Sequence, residues 1–192
     1  MKRLFTLLLT FILCLVVVGC GNTNVASVDY SVEPEKPSFM YSLPEWLSWG
    51  MKEGEVRQKL GSERVFENGN LIYVNRSDYR KCDVTEYYGF TDENSLIHMS
   101  YHFSYLDILY DDPNPFYDLY SEFKYSLTQI YGEPAGETDE WKNERYKGDE
   151  YMLYKAIEEG DYTAMTAWDL DGYICYIQLD KGISINYEAK KQ

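Results

Sequence analysis

The chain has 192 residues, 32 of them acidic against 18 basic, and a formal charge of −14 at neutral pH. So acidic a surface repels phosphate backbones, which argues against nucleic acid as a partner. It also lacks the Lys/Arg clusters that hold proteins to anionic headgroups by charge, which leaves cationic partners: a basic protein face, a peptide or a divalent metal.

Met1-Lys2-Arg3 is a short basic start, and Leu4 to Val18 is an apolar run broken only by Thr6 and Thr10. Gly19 and Cys20 follow. This is the layout of a secretory signal peptide over residues 1–19. As a helix the run reaches only about 22 Å, short of the roughly 30 Å apolar thickness of a bilayer. Val17-Val18-Gly19-Cys20 resembles the bacterial lipobox, which implies a diacylglyceryl group on the Cys20 sulfur. Two acyl chains anchor stably where one is marginal, at about 0.8 kcal/mol per buried methylene. Loss of Lys2 and Arg3 with the leader leaves a charge of −16.

The expected address is therefore extracytoplasmic and lipid-anchored. It is the outer face of the membrane in a Gram-positive cell or the outer membrane in a Gram-negative one. Gly21 is not the aspartate associated with inner-membrane retention.

Residues 20–41 are polar, with Pro34 and Pro37 and no apolar period. They read as a flexible tether of roughly 25 Å reach. Residues 42–192 suit one compact domain, divisible into halves 42–108 and 109–192.

A short helix is expected over 52–60, with Met51, Val56 and Leu60 on one face and Gly61 as its stop. Leu71–Asn75 reads as a strand. Asp83–Phe90 and Ser95–Phe103 flank Thr91-Asp92-Glu93-Asn94 as a hairpin. A longer helix follows, with Asn114 as N-cap and Pro115 at the first position. Asp111-Asp112 just ahead suits a helix entry. Phe116, Leu119, Tyr120, Phe123, Leu127, Ile130 and Tyr131 form its apolar stripe, and Gly132 with Pro134 ends it. Tyr151–Ile157, Tyr162–Trp168, Tyr173–Leu179 and Ile183–Tyr187 read as strands joined by short acidic turns, hence antiparallel. A faint repeat of helix, Gly and meander predicts an α+β fold: helices packed on one face of an antiparallel sheet, in two tandem helix-plus-meander units.

Trp49-Gly50-Met51 with Val56 and Leu60-Gly61 resembles the opening of the small outer-membrane-assembly lipoprotein domains (SmpA/OmlA/BamE). Tyr131-Gly132-Glu133-Pro134, then Trp141, Trp168 and the closing strands, is similar to the tandem repeat of the β-lactamase-inhibitor-protein fold. The resemblance spans roughly residues 46–188. It implies a tandem helix-plus-sheet domain that binds other proteins, and it transfers no functional residue. The chain is longer than a single assembly-lipoprotein domain and shows no recognisable inhibitory loop.

After cleavage Cys82 and Cys175 remain beside the lipidated Cys20, and export permits a disulfide between them if geometry does. His98 and His102 are the only histidines. On a strand they share a face with Ser100, about 13 Å apart, too far for one metal. Asp169-Leu170-Asp171-Gly172 carries part of a calcium-loop pattern but suits a hairpin turn better. There is no nucleophile elbow, Ser-x-x-Lys or Gly-rich phosphate loop. Twenty tyrosines and four tryptophans suit alternating strands with aromatic core and rim positions, or an oligosaccharide- or peptide-binding face. The expected function is a non-enzymatic protein- or peptide-binding module, without metal or cofactor. A solute-binding lipoprotein for a small or glycan ligand is the alternative, and a cell-envelope hydrolase ranks third.

Overall fold

Period-two alternation builds the larger share of the regular structure described. The computed structural model describes residues 39–191, apart from 62, 77–78, 81 and 106–115. Cys20, the leader, Pro34, Pro37, Asp111-Asp112 and the expected cap Asn114-Pro115 lie outside the described residues. Lys36–Gln192 forms one compact unit. In chain order its elements are α1 (Glu53–Leu60), β1 (Phe66–Asn68), β2 (Leu71–Asn75), β3 (Cys82–Phe90) and β4 (Leu96–Tyr105). Then come α2 (Phe116–Tyr131), β5 (Gly136–Trp141), α3 (Glu150–Glu159), β6 (Tyr162–Asp169), β7 (Tyr173–Leu179) and β8 (Ile183–Ala189).

All eight strands join one antiparallel sheet in the order β1-β2-β3-β4-β8-β7-β6-β5. Hairpins account for most neighbours, but β4 and β8 meet across the chain, from His98 opposite Glu188 to Phe103 opposite Ile183. Alternation then sorts side chains by face. Met99, Tyr101 and Phe103 of β4, Ile183, Ile185 and Tyr187 of β8, and Cys175, Ile177 and Leu179 of β7 are buried together. Helix α2 lies over β7 and β8, and α3 over β6.

This corrects the expected fold class. The structure is sheet-dominated and its core is continuous across the two halves, so it does not divide into two helix-plus-meander units. In the first half, α1 has eight residues and buries only Val56 and Leu60. Much of the cover there comes from the non-helical segment 39–50, through Tyr41, Trp46 and Leu47. The second half carries an extra helix between its first two strands. Tyr41 shows that the halves share one core. Its ring meets Tyr79, Tyr101, Phe103 and Phe123 within 6 Å, and its carbonyl accepts a 2.8 Å bond from the Tyr187 hydroxyl. Phe39 and Tyr41, read from sequence as the end of the tether, belong to the domain.

Three further elements differ from expectation. Residues 151–157 are helix, not strand: Met152, Leu153, Ala156 and Ile157 pack against the core at i, i+3 and i+4 spacing, one face of α3. Strand β5 was not expected because Gly-Glu-Thr-Asp-Glu-Trp carries no alternating apolar signal, and as an edge strand it needs little. Strand β1 has three residues and is too short to read. Elsewhere the glycine stops hold. Gly61 and Gly132 take positive φ (69° and 82°) and donate to Arg57 and Thr128 carbonyls at 3.1 and 2.9 Å.

Candidate functional site

The face of the sheet opposite the core begins with position parity on β4. His98, Ser100 and His102 point away from Met99, Tyr101 and Phe103. Register carries the row sideways. Ser100 stands opposite Tyr87 of β3, Tyr87 opposite Tyr73 of β2, and Tyr73 opposite Phe66 of β1. On the other side Ser100 faces Asn186 of β8 and Asn186 faces Tyr176 of β7. The rings therefore form a ladder across the strands. Phe66 stacks on Tyr73 at 5.1 Å, Tyr73 meets Tyr87 at 5.5 Å, and Tyr87 meets the His102 ring edge-on at 4.7 Å. Cross-strand aromatic pairs of this kind contribute roughly 0.5–1 kcal/mol each.

Among the described residues no helix lies on this face. Leu71, Met165 and Ile174 stand on it by register and are among the most exposed large apolar side chains described. Leu71 lies two residues along β2 from Tyr73 and so extends the ladder, whereas Met165 and Ile174 stand singly, so the contiguous apolar surface is Leu71 with the row Phe66–Tyr73–Tyr87. Gly89 shapes one corner. A Cβ there would come 3.2 Å from His98 Cβ and 3.3 Å from the Leu71 side chain, so glycine lets those two groups close over the strand.

The two histidines do not sit as expected. Both Nε2 atoms lie 3.1 Å from the Ser100 hydroxyl oxygen, so the rings lean toward each other along the strand and share one partner. A hydroxyl donates once, so at least one imidazole donates its N–H to that oxygen. Burial lowers both histidine pKa values below the ordinary range. Glu188 opposes this at His98, and His98 itself lowers His102 further. Glu188, His98 and Ser100 follow the order of a catalytic triad, but not its geometry. The carboxylate is 3.9 Å from His98 Nδ1, Ser100 is fully buried, and its strand neighbours spend their backbone N–H groups on the ladder. Among the described residues no three His, Cys, Asp or Glu side chains converge to hold a metal.

Cys82 and Cys175 are free and buried. Cys175 lies opposite Tyr187, Tyr187 opposite Met99, and Met99 opposite Tyr88. Cys82 is six residues along β3 from Tyr88. Three strand spacings and six residues separate the sulfurs by roughly 25 Å, against a Cα reach of about 7 Å for a disulfide. The bridge left open by the sequence is not formed. Burial pushes the thiols up, to about 11 for Cys82 and about 12 for Cys175. Asp169-Leu170-Asp171-Gly172 is the β6–β7 hairpin turn. The Leu170 N–H donates to Tyr173, and Asp169 pairs with Lys190 at 2.6 Å.

Two further features flank the sheet. Glu86, on the core face of β3, is only 2 % exposed. Arg76 bridges it to Glu63, and Tyr88 donates to it at 2.5 Å. The carboxylate is thus satisfied as a buried charge must be. At the far end of the open face, a cleft of about 610 Å³ is lined by His102, Glu158, Gln178, Asp180, Ser184 and Asn186, among others.

Comparison with known proteins found no matching family model, no matching curated protein and no matching solved structure. No relative lends this chain a function, and the functional reading rests on the sheet. Sequence reading placed His98, Ser100 and His102 on one face. It missed the ladder Phe66–Tyr73–Tyr87, because each ring comes from a different strand and only register aligns them.

Proposed function

We propose that this chain is a lipid-anchored extracytoplasmic binding module, held through Cys20, that presents the open face of its sheet to a protein or peptide. The observation that carries this reading is the uncovered aromatic ladder with exposed Leu71, Met165 and Ile174 on the same face. Tyrosine supplies large contact area at low entropic cost and is favoured at the centres of interfaces. The lipid anchor rests on the lipobox-like residues 17–20.

Site-specific photo-crosslinking tests the reading. A crosslinkable side chain at position 73 or 87 is expected to capture one defined envelope protein in cells. The same group at Tyr125, exposed on α2, is expected to capture none. Equal capture from both places, or none from the ladder, sinks it. Mass spectrometry of the mature N-terminus tests the anchor, and an unmodified Cys20 removes it.

The cleft beside Asp180 favours one second reading, capture of a small polar or glycan ligand, because its volume falls in the range of ligand sites. A thermal-shift screen of sugars and small solutes decides it. A ligand at a hundredfold excess over Kd adds about 2.7 kcal/mol, and a flat screen ends that reading.

A further inference from the structure

The cleft of about 610 Å³ at the end of the open face has a floor of neutral polar groups. That floor follows β8. Ser184 stands between His102 of β4 and Gln178 of β7, so a small side chain flanked by two longer ones leaves a trough. Asn186 stands at the inner end, and Asp180 lies about 13 Å further along by strand spacing. Asn186 is only 5 % exposed. Among the described residues its amide makes one hydrogen bond, from Nδ2 to the Ser184 hydroxyl oxygen at 2.8 Å. Whichever way that amide is turned, its other end has no described protein partner, and a buried polar atom in that position is costly until something bonds to it. Gln178 makes a single long contact, to Asp180 at 3.4 Å, and Ser104 adds a hydroxyl to the wall.

The lining selects by charge and by shape. Burial holds His102 neutral near neutral pH, so the trough itself carries no formal charge. The charged groups stand at the outer rim, where Glu158 and Asp180 oppose Lys181. Asp180 is occupied there by the Gly182 N–H at 3.0 Å and by Gln178. An anion entering the cleft meets two carboxylates against one ammonium, and a cation finds no carboxylate along the floor. The two phenyl rings at the cleft, Phe103 and Phe116, are buried in the core and offer no face to stack on. The fitting group is one that both donates and accepts a hydrogen bond, as a hydroxyl does.

We propose that this cleft binds a neutral polyhydroxylated molecule of mono- or disaccharide size, held by hydrogen bonds to Asn186, Ser184, Gln178 and Ser104 and without ring stacking. A ligand hydroxyl satisfies the open end of the Asn186 amide in either orientation. The volume lies within the range of small-ligand sites. The inference rests on the reading of the cleft as a small-ligand site, and it adds which chemistry the cleft accepts and which it refuses.

The test follows the side-chain amide signals of Asn186 and Gln178 in a two-dimensional proton–nitrogen NMR spectrum of the full chain. Glucose, galactose, mannose, maltose, trehalose and inositol are titrated in turn, with glucosamine and glucuronate as charged counterparts. At least one neutral compound is expected to shift both signals to saturation. Glucuronate is expected not to bind, and glucosamine to bind no tighter than glucose. Asn186→Leu keeps the volume and is expected to weaken the binding at least about tenfold, read at Gln178. Ser184→Ala removes one hydroxyl and is expected to weaken it about fivefold. A circular dichroism melt shows that each variant is folded, and Ser184→Ala carries the test if Asn186→Leu is not.

Tighter binding of glucosamine or glucuronate than of every neutral compound overturns the proposal, while the cleft stands as a small-ligand site. Neutral binding that ignores the substitutions also overturns it, because the ligand then lies elsewhere. Failure of every neutral compound to move the two amide signals overturns it, and the wider thermal-shift screen then decides whether the cleft survives as a site.

Discussion

The two faces of the sheet use the same residue types for opposite ends. On the core face, aromatic rings meet at tilted angles in a cluster around Phe123, with Phe103 at 4.9 Å and Phe39 at 5.3 Å. Phenol groups there are spent on buried partners, as in Tyr187 to the Tyr41 carbonyl and Tyr120 with Thr166 at 2.8 Å. On the open face the rings of Phe66, Tyr73 and Tyr87 stand in line, and the polar groups form a shared chain through Ser100. Burial converts aromatic area into stability. Partial exposure, as at Phe66, Tyr73 and Tyr87, leaves some of it open to a partner. Strand β4 holds both regimes in alternate residues, so one strand separates the scaffold from the surface.

The contrast is open to attack at both ends of the pH scale. Burial raises the phenols of Tyr41 and Tyr162 to about 12, and the Cys82 and Cys175 thiols to about 11 and 12. The native chain then keeps protons that the unfolded chain releases near the ordinary thiol and phenol values, about 8.5 and 10. This stability is complete below about pH 8.5 and is lost as pH rises toward 12. Loss of the circular dichroism signal together with a jump in tyrosinate absorbance is expected over that range. Intact structure at pH 12 breaks the comparison.

Phe123→Ala comes next. It empties the centre of the aromatic cluster and is expected to cost about 3–5 kcal/mol in urea unfolding. A loss under about 1 kcal/mol means that the cluster is not the core. Glu86→Gln removes one charge of the buried Arg76 bridge while keeping the shape. Arg76 retains Glu63, so a loss of about 2 kcal/mol is expected from the same measurement.

The open face is expected to respond least, and at the acid end. His98 and His102 are lowered by burial, so the unfolded chain takes up protons first as pH falls. Their contribution is complete above about pH 6.5, the ordinary histidine value, and declines below it. Ser100→Ala should cost about 1 kcal/mol and change that acid limb, read from melting temperature between about pH 7 and 5. Tyr87→Ser, which loses the ring contacts to Tyr73 and His102, should cost about 1–2 kcal/mol. A larger loss places the ladder with the scaffold instead of the surface.

Local signals were legible residue by residue. Alternation in Ile183–Tyr187 and the apolar stripe of Phe116–Tyr131 placed their elements. The glycines after each of the first two helices marked the ends, because positive φ is cheap only there. The misread segment 151–157 is instructive. Tyr, Met and Leu in a row satisfy strand propensity, yet seven residues are too few to show a helical period clearly against it. The division into two units failed for a longer-range reason. Repeated local patterns do not say that β4 and β8 pair, nor that a loop at Tyr41 and Trp46 does the covering expected of a helix.

By itself, then, the chain determined where most strands and the two outer turns fall, which residues of β4 share a face, and how acidic the surface is. These depend on neighbours within a few positions, and period and turn chemistry carry them. Only the tertiary structure decided the rest. The pairing of β4 with β8 set Glu188 beside His98 and left Cys82 far from Cys175. The register of three successive strands brought Phe66, Tyr73 and Tyr87 into one row. Hydrogen bonds between strands fix that register, and a shift of one residue would send each ring to the other face. The proposed binding surface is thus a product of register, and the three-residue β1 that supplies Phe66 is too short to announce it by alternation.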